Sequence, residues 1–338
     1  MLPNKVIVIA EIGVNHNGSI DEAFALVNAA RDAGADYVKF QTFKATSIAT
    51  PSASLATYQR RNSELYDHSN QLQMLHRLEL SFSEFRAIHT LCRDTNIGFI
   101  STAFDAVSLE FIKSLGVDFL KIPSGEITNF PLLVSVAKSN TPILMSTGMS
   151  TMNEVEDALA VLRKFSFGPP LVIPMQCTSA YPAPMEELNL GVIEHFGNRF
   201  KLPVGFSDHS AGIEAALAAV ALGAVVIEKH FTLDRNALGP DHSASLEPAS
   251  FRRMVDGIRN VESALGSRDK FVTPSEEENR KVARRSIVSA RNIKKGETFT
   301  EDNIAIKRPA SGISPMRWNE LIGRKAGRDY QPDEFIDP

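Results

Sequence analysis

Over roughly the first 270 residues, short aliphatic runs alternate with longer segments whose apolar residues recur every three or four positions. The short runs predict β-strands at 6–12, 36–43, 97–104, 117–123, 142–147, 171–177, 202–207 and 224–231. The longer segments predict amphipathic helices, for example at 20–33, 83–95, 106–115, 151–164 and 211–222. Strands that alternate with helices in this way are typical of a parallel sheet.

Eight such units within residues 1–266 predict an α/β protein built on a closed (β/α)₈ barrel, or TIM barrel. A doubly wound open sheet is the alternative. The turn at 13–18 that follows the first strand does not match the glycine fingerprint of dinucleotide-binding sheets, which favours the barrel. The connection at 44–80 is unusually long, and we expect it to cover the carboxyl ends of the strands as a lid.

The pattern changes after residue 266. Residues 267–285 are polar and have no apolar period, so they predict a linker. Residues 286–338 contain short strand-like runs and predict a small, mostly β domain. A domain of this size has a limited core of its own, so we expect it to pack against the surface of a partner.

Composition narrows the classes of function. The 338-residue chain has a net charge of −4, and its longest basic runs are pairs such as Arg284-Arg285, which argues against nucleic-acid binding. No run reaches the roughly 18 apolar residues that a membrane helix needs, and the first apolar run is too short for a signal peptide. With only Cys92 and Cys177, the chain is expected to work in the reducing cytoplasm.

Polar side chains close most of the predicted strands of the barrel. Because parallel strands buried on both faces are nearly continuous aliphatic runs, charged residues at their carboxyl ends have no packing explanation. In a (β/α)₈ barrel this rim is where the chemistry takes place. The strand-end residues are Glu11, Lys39, Gln41, Lys121, Ser124, Ser146, Ser207, His209, Glu228 and His230.

Two histidines are the candidate metal ligands. His209 and His230 end the seventh and eighth strands, which are neighbours in a barrel, so the two side chains can share one ion. Imidazole alone does not choose among zinc, iron, manganese, nickel and copper. The alternative is that both are hydrogen-bonded core histidines. The other histidines are expected on the surface or in loops, although His16 and His242 lie close enough to the rim to contact a substrate.

Two lysines and several hydroxyls are the candidate anion site. Lys39 and Lys121 lie within aliphatic strands, where an ammonium group is costly unless it meets a negative charge. Together with the hydroxyls of Thr102, Ser124, Ser146 and Ser207, they would suit a phosphate group. The alternative is that the lysines form internal ion pairs with Glu11, Glu126 or Glu228.

The same carboxylates are candidates for acid–base chemistry, since carboxylates crowded in a barrel mouth have shifted pKa values. Asp241 lies in a loop, where an aspartate is usually a cap or a turn former. Cys177 ends the sixth strand and is interpreted as a packing residue, because no base is assigned beside it.

The motifs along the chain resemble one family. They are AEIGVNHNG (10–18), VKFQTF (38–43), KIPSGEITN (121–129), STGM (146–149), CTSAYPAP (177–184), GFSDHS (205–210), IEKHFTLD (227–234) and GPDHSASLEP (239–248). In this order they resemble the sialic acid synthases, which include N-acetylneuraminate, legionaminate and pseudaminate synthases. The segment NIKKGETFTEDNIAIKRPASGISP (292–315) resembles the antifreeze-like (SAF) domain of that family, a β-clip fold.

The resemblance implies a reaction in which phosphoenolpyruvate and water combine with an N-acylated amino sugar and phosphate is released. It implies Mn²⁺, with Mg²⁺ or Co²⁺ as alternatives, held by His209 and His230. It also implies a domain-swapped homodimer, in which Arg308 reaches the partner's site and contacts the N-acyl group. The residues implied for phosphoenolpyruvate are Lys39, Thr102, Lys121, Ser124, Ser146 and Ser207. Those implied for the sugar and for acid–base chemistry are Glu11, Gln41, Glu126, Tyr181, Glu228 and Asp241.

The expected function is therefore N-acetylneuraminate synthase, which uses N-acetylmannosamine. The alternative is N,N'-diacetyllegionaminate synthase, which uses 2,4-diacetamido-2,4,6-trideoxymannose, because the 239–248 motif resembles both of these branches more than the pseudaminate branch. Two other hypotheses are an aldolase that uses pyruvate and a carbohydrate- or ice-binding module on an inert barrel. The second leaves the strand-end lysines and histidines unexplained.

Overall fold

A computed structural model of the chain describes residues 5–55 and 70–337. It divides into two compact units, one ending at Gly266 and the other beginning at Ser267. In the described ranges, no helix is both long enough and apolar enough to cross a membrane.

The first unit is a closed barrel of eight parallel strands, each paired with its neighbours in chain order. This confirms the predicted (β/α)₈ barrel, and the open-sheet alternative is wrong. The strands are β1 (Ile7–Gly13), β2 (Tyr37–Thr42), β3 (Gly98–Ala103), β4 (Leu120–Ile122), β5 (Ile143–Ser146), β6 (Val172–Cys177), β7 (Val204–Asp208) and β8 (Ala224–His230).

Amphipathic helices follow the strands, as the apolar periodicity predicts. Several begin at a side chain that caps the helix, and Ser81 and Thr151 each form a capping box with the glutamate three residues later. The helices of this unit are α1 (Ile20–Asp32), α2 (Ala45–Ile48), α3 (Gln71–Leu78), α4 (Phe82–Asp94), α5 (Ala106–Ser114), α6 (Phe130–Ala137), α7 (Met152–Phe165), α8 (Val192–Phe200), α9 (Glu214–Ala221) and α10 (Pro248–Leu265).

Buried apolar side chains form separate clusters on the two faces of the strands. One cluster combines strand residues such as Val8 with helix residues such as Leu26 and Phe85. A second cluster lies on the face of β1 that also carries Glu11, since side chains two apart on a strand share a face. Its members are Ile7, Ile9, Ile100, Phe119, Leu144, Ile173, Met175 and Val226.

The long connection after β2 is described in part. Helices α2 and α3 belong to it, and its side chains Leu55, Met74 and Leu78 pack with Val14 and Phe43 in a small apolar cluster. Residues 56–69 of the predicted lid lie outside the described residues. The described parts therefore place an apolar cluster beside the carboxyl ends of β1 and β2.

The second unit contains helices α11 (Glu277–Ala283) and α12 (Trp318–Leu321) and the antiparallel pair β9 (Ser286–Ser289) and β10 (Ile304–Lys307). It has its own apolar core, with members Ile287, Ile293, Phe299, Ile304, Ile313, Leu321, Ala326, Tyr330 and Ile336. The predicted linker segment is partly helical. A capping box between Thr273 and Glu276 precedes α11, and no residue of α11 is buried, so apolar periodicity gives no signal for it.

Candidate functional site

A cavity of about 460 Å³ lies at the carboxyl ends of the barrel strands. All the predicted site residues except Glu126 and Arg308 line it. These lining residues are Glu11, Lys39, Gln41, Thr102, Lys121, Ser124, Ser146, Tyr181, Ser207, His209, Glu228, His230 and Asp241. Strand ends that are far apart in the sequence thus contribute to one site.

Glu126 and Arg308 lie elsewhere. The Glu126 carboxylate lies in the 3-10 turn Ser124–Glu126, where it accepts a hydrogen bond of 2.6 Å from the Asn129 side chain. Arg308 is exposed in the second unit, directly after β10. Their roles in the reaction stay predictions.

Both buried lysines form ion pairs inside the barrel. Lys39 Nζ lies 2.7 Å from Glu11 Oε2 and 3.8 Å from Glu228 Oε1. Lys121 Nζ lies 2.9 and 2.8 Å from the two carboxylate oxygens of Glu228. The internal-pair alternative is therefore confirmed for Glu11 and Glu228, though not for Glu126. An anion that enters the site must compete with these carboxylates for the lysines.

The two carboxylates have opposite pKa shifts. Burial raises the pKa of Glu11 to about 7, although the ammonium of Lys39 opposes this shift. Burial also disfavours ionised Glu228, but Lys121 and Lys39 together hold its pKa at about 2. Pairs of groups whose environments separate their pKa values are typical of acid–base sites. Glu11 is thus the carboxylate that can exchange a proton near neutral pH, and Glu228 stays ionised.

The hydroxyl groups at the cavity differ in whether they already form a hydrogen bond within the protein. Lys39 donates to Thr102 at 3.2 Å, Ser207 donates to Glu228 at 2.9 Å, and Ser124 accepts from the amide of Gly148 at 3.0 Å. Ser146 is different, because its buried hydroxyl has no hydrogen-bond partner within residues 5–55 and 70–337. A buried hydroxyl without a partner is costly unless a ligand supplies one.

His209 and His230 lie side by side, with ring centroids 5.4 Å apart. His209 Nδ1 lies 2.7 Å from the carbonyl oxygen of Thr178. A carbonyl can only accept, so Nδ1 carries the proton, and Nε2 offers its lone pair when the ring is neutral. Burial lowers the pKa of His209, but Cys177 and the Thr178 carbonyl together raise it above its usual value. His230 Nδ1 is buried without a hydrogen-bond partner in the part of the chain that the structure describes. Burial holds the pKa of His230 well below its usual range, so this ring is neutral.

The nearest carboxylate to this pair is Asp241, whose Oδ2 lies 4.0 Å from His230 Nδ1. Asp241 is therefore part of the cavity wall, whereas its sequence context indicated only a cap or turn former, and burial raises its pKa to about 6. No set of three or more His, Cys, Asp or Glu side chains arranged for a metal occurs among the described residues. Two imidazole nitrogens with free lone pairs fit a divalent ion whose other ligands are water or substrate oxygens.

Cys177 and Tyr181 surround His209. Cys177 Sγ lies 3.7 Å from His209 Nδ1 and also 3.7 Å from the Ser124 hydroxyl. The sequence assigned no base beside Cys177, whereas strand pairing places Cys177 opposite Ser207, two residues before His209. Cys177 is buried, and its role as a packing residue stays a prediction. The Tyr181 ring lies 4.3 Å from the His209 ring.

His16 and His242 lie in loops near the rim, as expected, but both are buried. His16 is fully buried, and the His242 ring lies 2.7 Å from the Thr232 hydroxyl and 3.2 Å from the Asn17 side chain. The two rim loops that carry these histidines bond to each other, and periodicity does not predict such contacts. Neither histidine lines the cavity.

Sequence reasoning also missed one buried ion pair. Lys229 Nζ lies 2.8 Å from Asp208 Oδ2, and neither side chain is exposed. The sequence signal that could have revealed it is a charged residue between two site residues on each strand. Asp208 lies between two site residues at the end of β7, and Lys229 lies between two at the end of β8. The described parts of the lid add an apolar side to the cavity through Ile48, Met74, Leu75 and Leu78. Phe43 and Phe104, at the ends of β2 and β3, extend this apolar side.

Comparison with known proteins identifies the family. A profile of the NeuB family matches residues 26–270, and a profile of the SAF domain matches residues 284–338. The chain is 46% identical to the N,N'-diacetyllegionaminic acid synthase of Campylobacter jejuni subsp. jejuni, over 98% of this chain and 99% of that relative. It is 42% identical to the enzyme of the same name from Legionella pneumophila, over 94% of this chain and 89% of that relative.

A solved structure agrees with these sequence matches. The N-acetylneuraminic acid synthetase of Leptospira borgpetersenii serovar Hardjo-bovis superimposes with a TM-score of 0.71 and 32% identity, over 81% of this chain and 90% of that one. The family profile spans most of the barrel, and the relatives match nearly end to end. The chain therefore belongs to the NeuB family, the sialic acid synthases, and it is an enzyme of that family with a SAF domain after its barrel.

Proposed function

We propose that this enzyme is an N,N'-diacetyllegionaminate synthase, which condenses phosphoenolpyruvate with 2,4-diacetamido-2,4,6-trideoxymannose and water and releases phosphate. Two relatives that match nearly the whole chain, at 46% and 42% identity, are named for this product. The diacetamido sugar, which the sequence suggested only as the alternative acceptor, therefore becomes the first candidate, and N-acetylmannosamine becomes the second.

One observation carries the reaction class. The unpartnered Ser146 hydroxyl and the unpartnered His230 nitrogen, as seen within the described ranges, line the same cavity as Lys39 and Lys121. This combination suits a substrate with a phosphate group at one end and an oxygen atom that approaches the histidines at the other. Phosphoenolpyruvate and an open-chain sugar together meet both requirements.

In the proposed reaction, the enol carbon of phosphoenolpyruvate forms a bond to the sugar aldehyde carbon, the aldehyde oxygen takes up a proton and becomes a hydroxyl, and positive charge develops at the neighbouring carbon. Water adds there and gives up one proton, which balances the proton taken up by the aldehyde oxygen. The tetrahedral intermediate then breaks its carbon–oxygen bond to phosphate, and its new hydroxyl passes its proton to the departing phosphate and becomes the carbonyl of the keto acid. Lys121 stabilises negative charge on the phosphate, Lys39 does so once Glu11 is protonated, and Ser146 donates a hydrogen bond to it.

Glu11 is the group proposed to take the proton from water. Its pKa of about 7 lets it accept a proton at neutral pH, and it lies beside Gln41, whose amide contacts it at 3.3 Å. Protonation of Glu11 would also free Lys39 to bind the phosphate. Glu228 stays charged and fixes Lys121, so the two carboxylates have separate tasks.

We propose Mn²⁺ as the metal, with Mg²⁺ or Co²⁺ as alternatives, and His209 and His230 as its protein ligands. A bound divalent ion would act as a Lewis acid toward the sugar carbonyl oxygen. Asp241 and Tyr181, which line the cavity beside the histidines, are proposed to orient the sugar.

The apolar side of the cavity supports the deoxy sugar. Met74, Leu75 and Leu78 of α3 line the cavity, and of these side chains only the Met74 thioether can accept a hydrogen bond, a weak one, from a hydroxyl group. The proposed acceptor carries a methyl group where N-acetylmannosamine carries a hydroxymethyl group. The same apolar side chains would keep stray water from the reaction.

N-acetylneuraminate synthase remains the second candidate. The solved relative from Leptospira is named for that product and is 32% identical to this chain. Both candidates share the phosphoenolpyruvate chemistry and differ only in the acceptor.

The test is phosphate release from phosphoenolpyruvate with Mn²⁺, measured with each acceptor sugar and against a chelated control. Release with the diacetamido sugar, at a kcat/KM well above that with N-acetylmannosamine, is the expected result. A preference for N-acetylmannosamine would establish the second candidate. Phosphate release with neither sugar, or formation of the sugar product from pyruvate without phosphate release, would overturn the proposed reaction.

A further inference from the structure

The outer face of the β7–β8 strand pair carries a fully buried ion pair. Side chains alternate along a strand, so Glu228 and His230 face the cavity while Lys229, between them, faces away. Asp208 is the equivalent residue of β7, beside His209, and it is the backbone partner of Lys229 in the sheet. The ammonium and the carboxylate lie 2.8 Å apart, with both side chains fully buried.

The same two residues also hold the start of the loop after β7. Lys229 Nζ donates to the carbonyl oxygen of Ser210 at 2.5 Å. Asp208 Oδ1 accepts from the amide of Ser210 at 2.8 Å and from its hydroxyl at 2.7 Å. The residues on both sides of His209 are therefore tied to the residue that precedes His230. We call Asp208, Ser210 and Lys229 the outer clamp.

The outer clamp constrains the two histidines differently. His209 has further restraints, because its ring bonds to Thr178 and its carbonyl accepts from Ala183 at 2.9 Å. The His230 carbonyl likewise accepts from the amide of Leu246 at 2.8 Å, but its ring nitrogen Nδ1 has no hydrogen-bond partner within the described residues. The position of the ring therefore depends on the backbone of β8 and on packing against the Tyr181 and His209 rings. Lys229 is the neighbouring residue whose side chain adds a further bond from this backbone to β7.

Stability alone is a weak reason for such a pair. Removing two charges from water costs several kcal/mol per ion, and well-packed apolar residues of similar volume often serve a core equally well. The surrounding faces of β7 and β8 are apolar, with Phe206 and Ile227 fully buried. A role in fixing geometry explains why charged residues occupy these positions.

We propose that Asp208 and Lys229 are positioning residues that hold His209 and His230 at the separation needed by a divalent metal ion. The inference rests on the metal site of the proposed function. It concerns affinity for the metal itself, because the outer clamp lies on the strand face opposite the cavity and does not touch the substrates.

Titration of the metal-free protein with Mn²⁺, followed through the electron paramagnetic resonance signal of the free ion, tests the inference. Lys229→Met removes the ammonium, and we expect the Kd for Mn²⁺ to rise by about tenfold, at the low end of the effect of residues that support metal ligands. The double variant Asp208→Asn with Lys229→Gln keeps a hydrogen-bonded pair without charge, so we expect it to bind Mn²⁺ nearly as the parent does.

Arg259→Met is the matched control. It breaks a pair with Asp36 at the opposite end of the barrel, where Arg259 Nη2 lies 2.9 Å from Asp36 Oδ2. We expect it to lower Tm without changing the Kd for Mn²⁺. If Lys229→Met fails to fold, Ser210→Ala replaces it, since this change removes only one bond of the outer clamp and should weaken Mn²⁺ binding by less.

The results of the titration distinguish a failure of the outer-clamp inference from a failure of the proposed metal site. If the parent binds Mn²⁺ and Lys229→Met, or Ser210→Ala in its place, binds it equally well, the inference is wrong and the metal site stands. The inference is also wrong if Arg259→Met weakens binding as much as Lys229→Met does at a similar Tm. If the parent itself does not bind Mn²⁺, the metal site and the inference both fall.

Discussion

The interior of the barrel has two layers of opposite character, although the same strands build both. Toward the amino-terminal ends, Ile9, Leu144 and Val226 belong to a dry apolar cluster. Two residues further along β1 and β8, Glu11 and Glu228 share the same strand faces and are held by lysines. The lower layer is built from residues that need only to pack, and the upper layer from residues that need partners.

The comparison shows that position along a strand, not the face of the strand, separates stability from chemistry. Packing an apolar layer lowers the free energy of folding without specifying any ligand. The upper layer adds charges whose burial is tolerated only because each has a partner. Mutations in the two layers should therefore have different consequences.

The largest effect is expected for His230→Ala in the upper layer. If the ring holds the metal, losing several kcal/mol of Lewis-acid stabilisation lowers kcat by about 1,000-fold or more. The Tm should change little, because His230 Nδ1 has no hydrogen bond to lose within the described residues. Steady-state kinetics and a thermal melt measure the two quantities.

The control for His230→Ala is His195→Ala, on the exposed side of α8, which should leave kcat unchanged. Full activity of His230→Ala, or of a metal-stripped sample, would remove His230 from the metal site.

The opposite result is expected for Leu144→Ala in the lower layer. This fully buried side chain leaves a cavity when truncated, which should cost about 2–5 kcal/mol of unfolding free energy. The kcat/KM of the folded enzyme should stay close to that of the parent. Urea unfolding gives the first value, and Leu265→Ala, at a half-exposed position, is the control that should change little. If activity falls as far as stability, the two layers are not separable.

A smaller effect is expected for Ser146→Ala, which removes the unpartnered hydroxyl. We expect the KM for phosphoenolpyruvate to rise by about tenfold, the value of one hydrogen bond to a charged group. Thr147→Val is the neighbouring control, because its hydroxyl already donates to Met175 at 2.9 Å. That variant should lose stability and keep its KM, and a reversal of the two results would contradict the phosphate assignment.

The smallest effect is expected for Arg308→Ala, outside both layers. By resemblance to the family, we expect this arginine to contact the N-acyl group of a sugar in the partner's site within a domain-swapped homodimer. The KM for the sugar should rise by about threefold, the value of a solvent-exposed hydrogen bond, while the KM for phosphoenolpyruvate stays constant. Arg324→Ala, also exposed in the SAF domain, is the control. An equal rise in both KM values would indicate a structural role for Arg308.

The sequence predicts the barrel well because each strand is a separate aliphatic run with a local signal. It also predicts which polar residues gather at the rim, since all eight strands end on the same side. It does not predict which lysine meets which carboxylate. Lys121 pairs with Glu228 across the barrel interior, and this contact depends on side-chain reach as well as on register.

The features that the sequence did not predict share a physical cause. The burial of His16 and His242, and the contact between Cys177 and His209, arise where separate loops or strand ends meet. Helix α11 is held by a capping box and not by an apolar face, so a search for apolar periodicity misses it. Local patterns describe single elements, whereas these features belong to pairs of elements.

The ion-paired lysines also affect how the enzyme finishes a turnover. Because Lys39 and Lys121 already hold carboxylates, an arriving phosphate gains only the difference between two ion pairs. In the proposed reaction the same exchange runs in reverse at the end, when Glu11 gives up its proton and recaptures Lys39. The departing inorganic phosphate then faces a competitor that is covalently part of the site. From the proposed reaction we therefore expect inorganic phosphate to be a weak inhibitor of this enzyme.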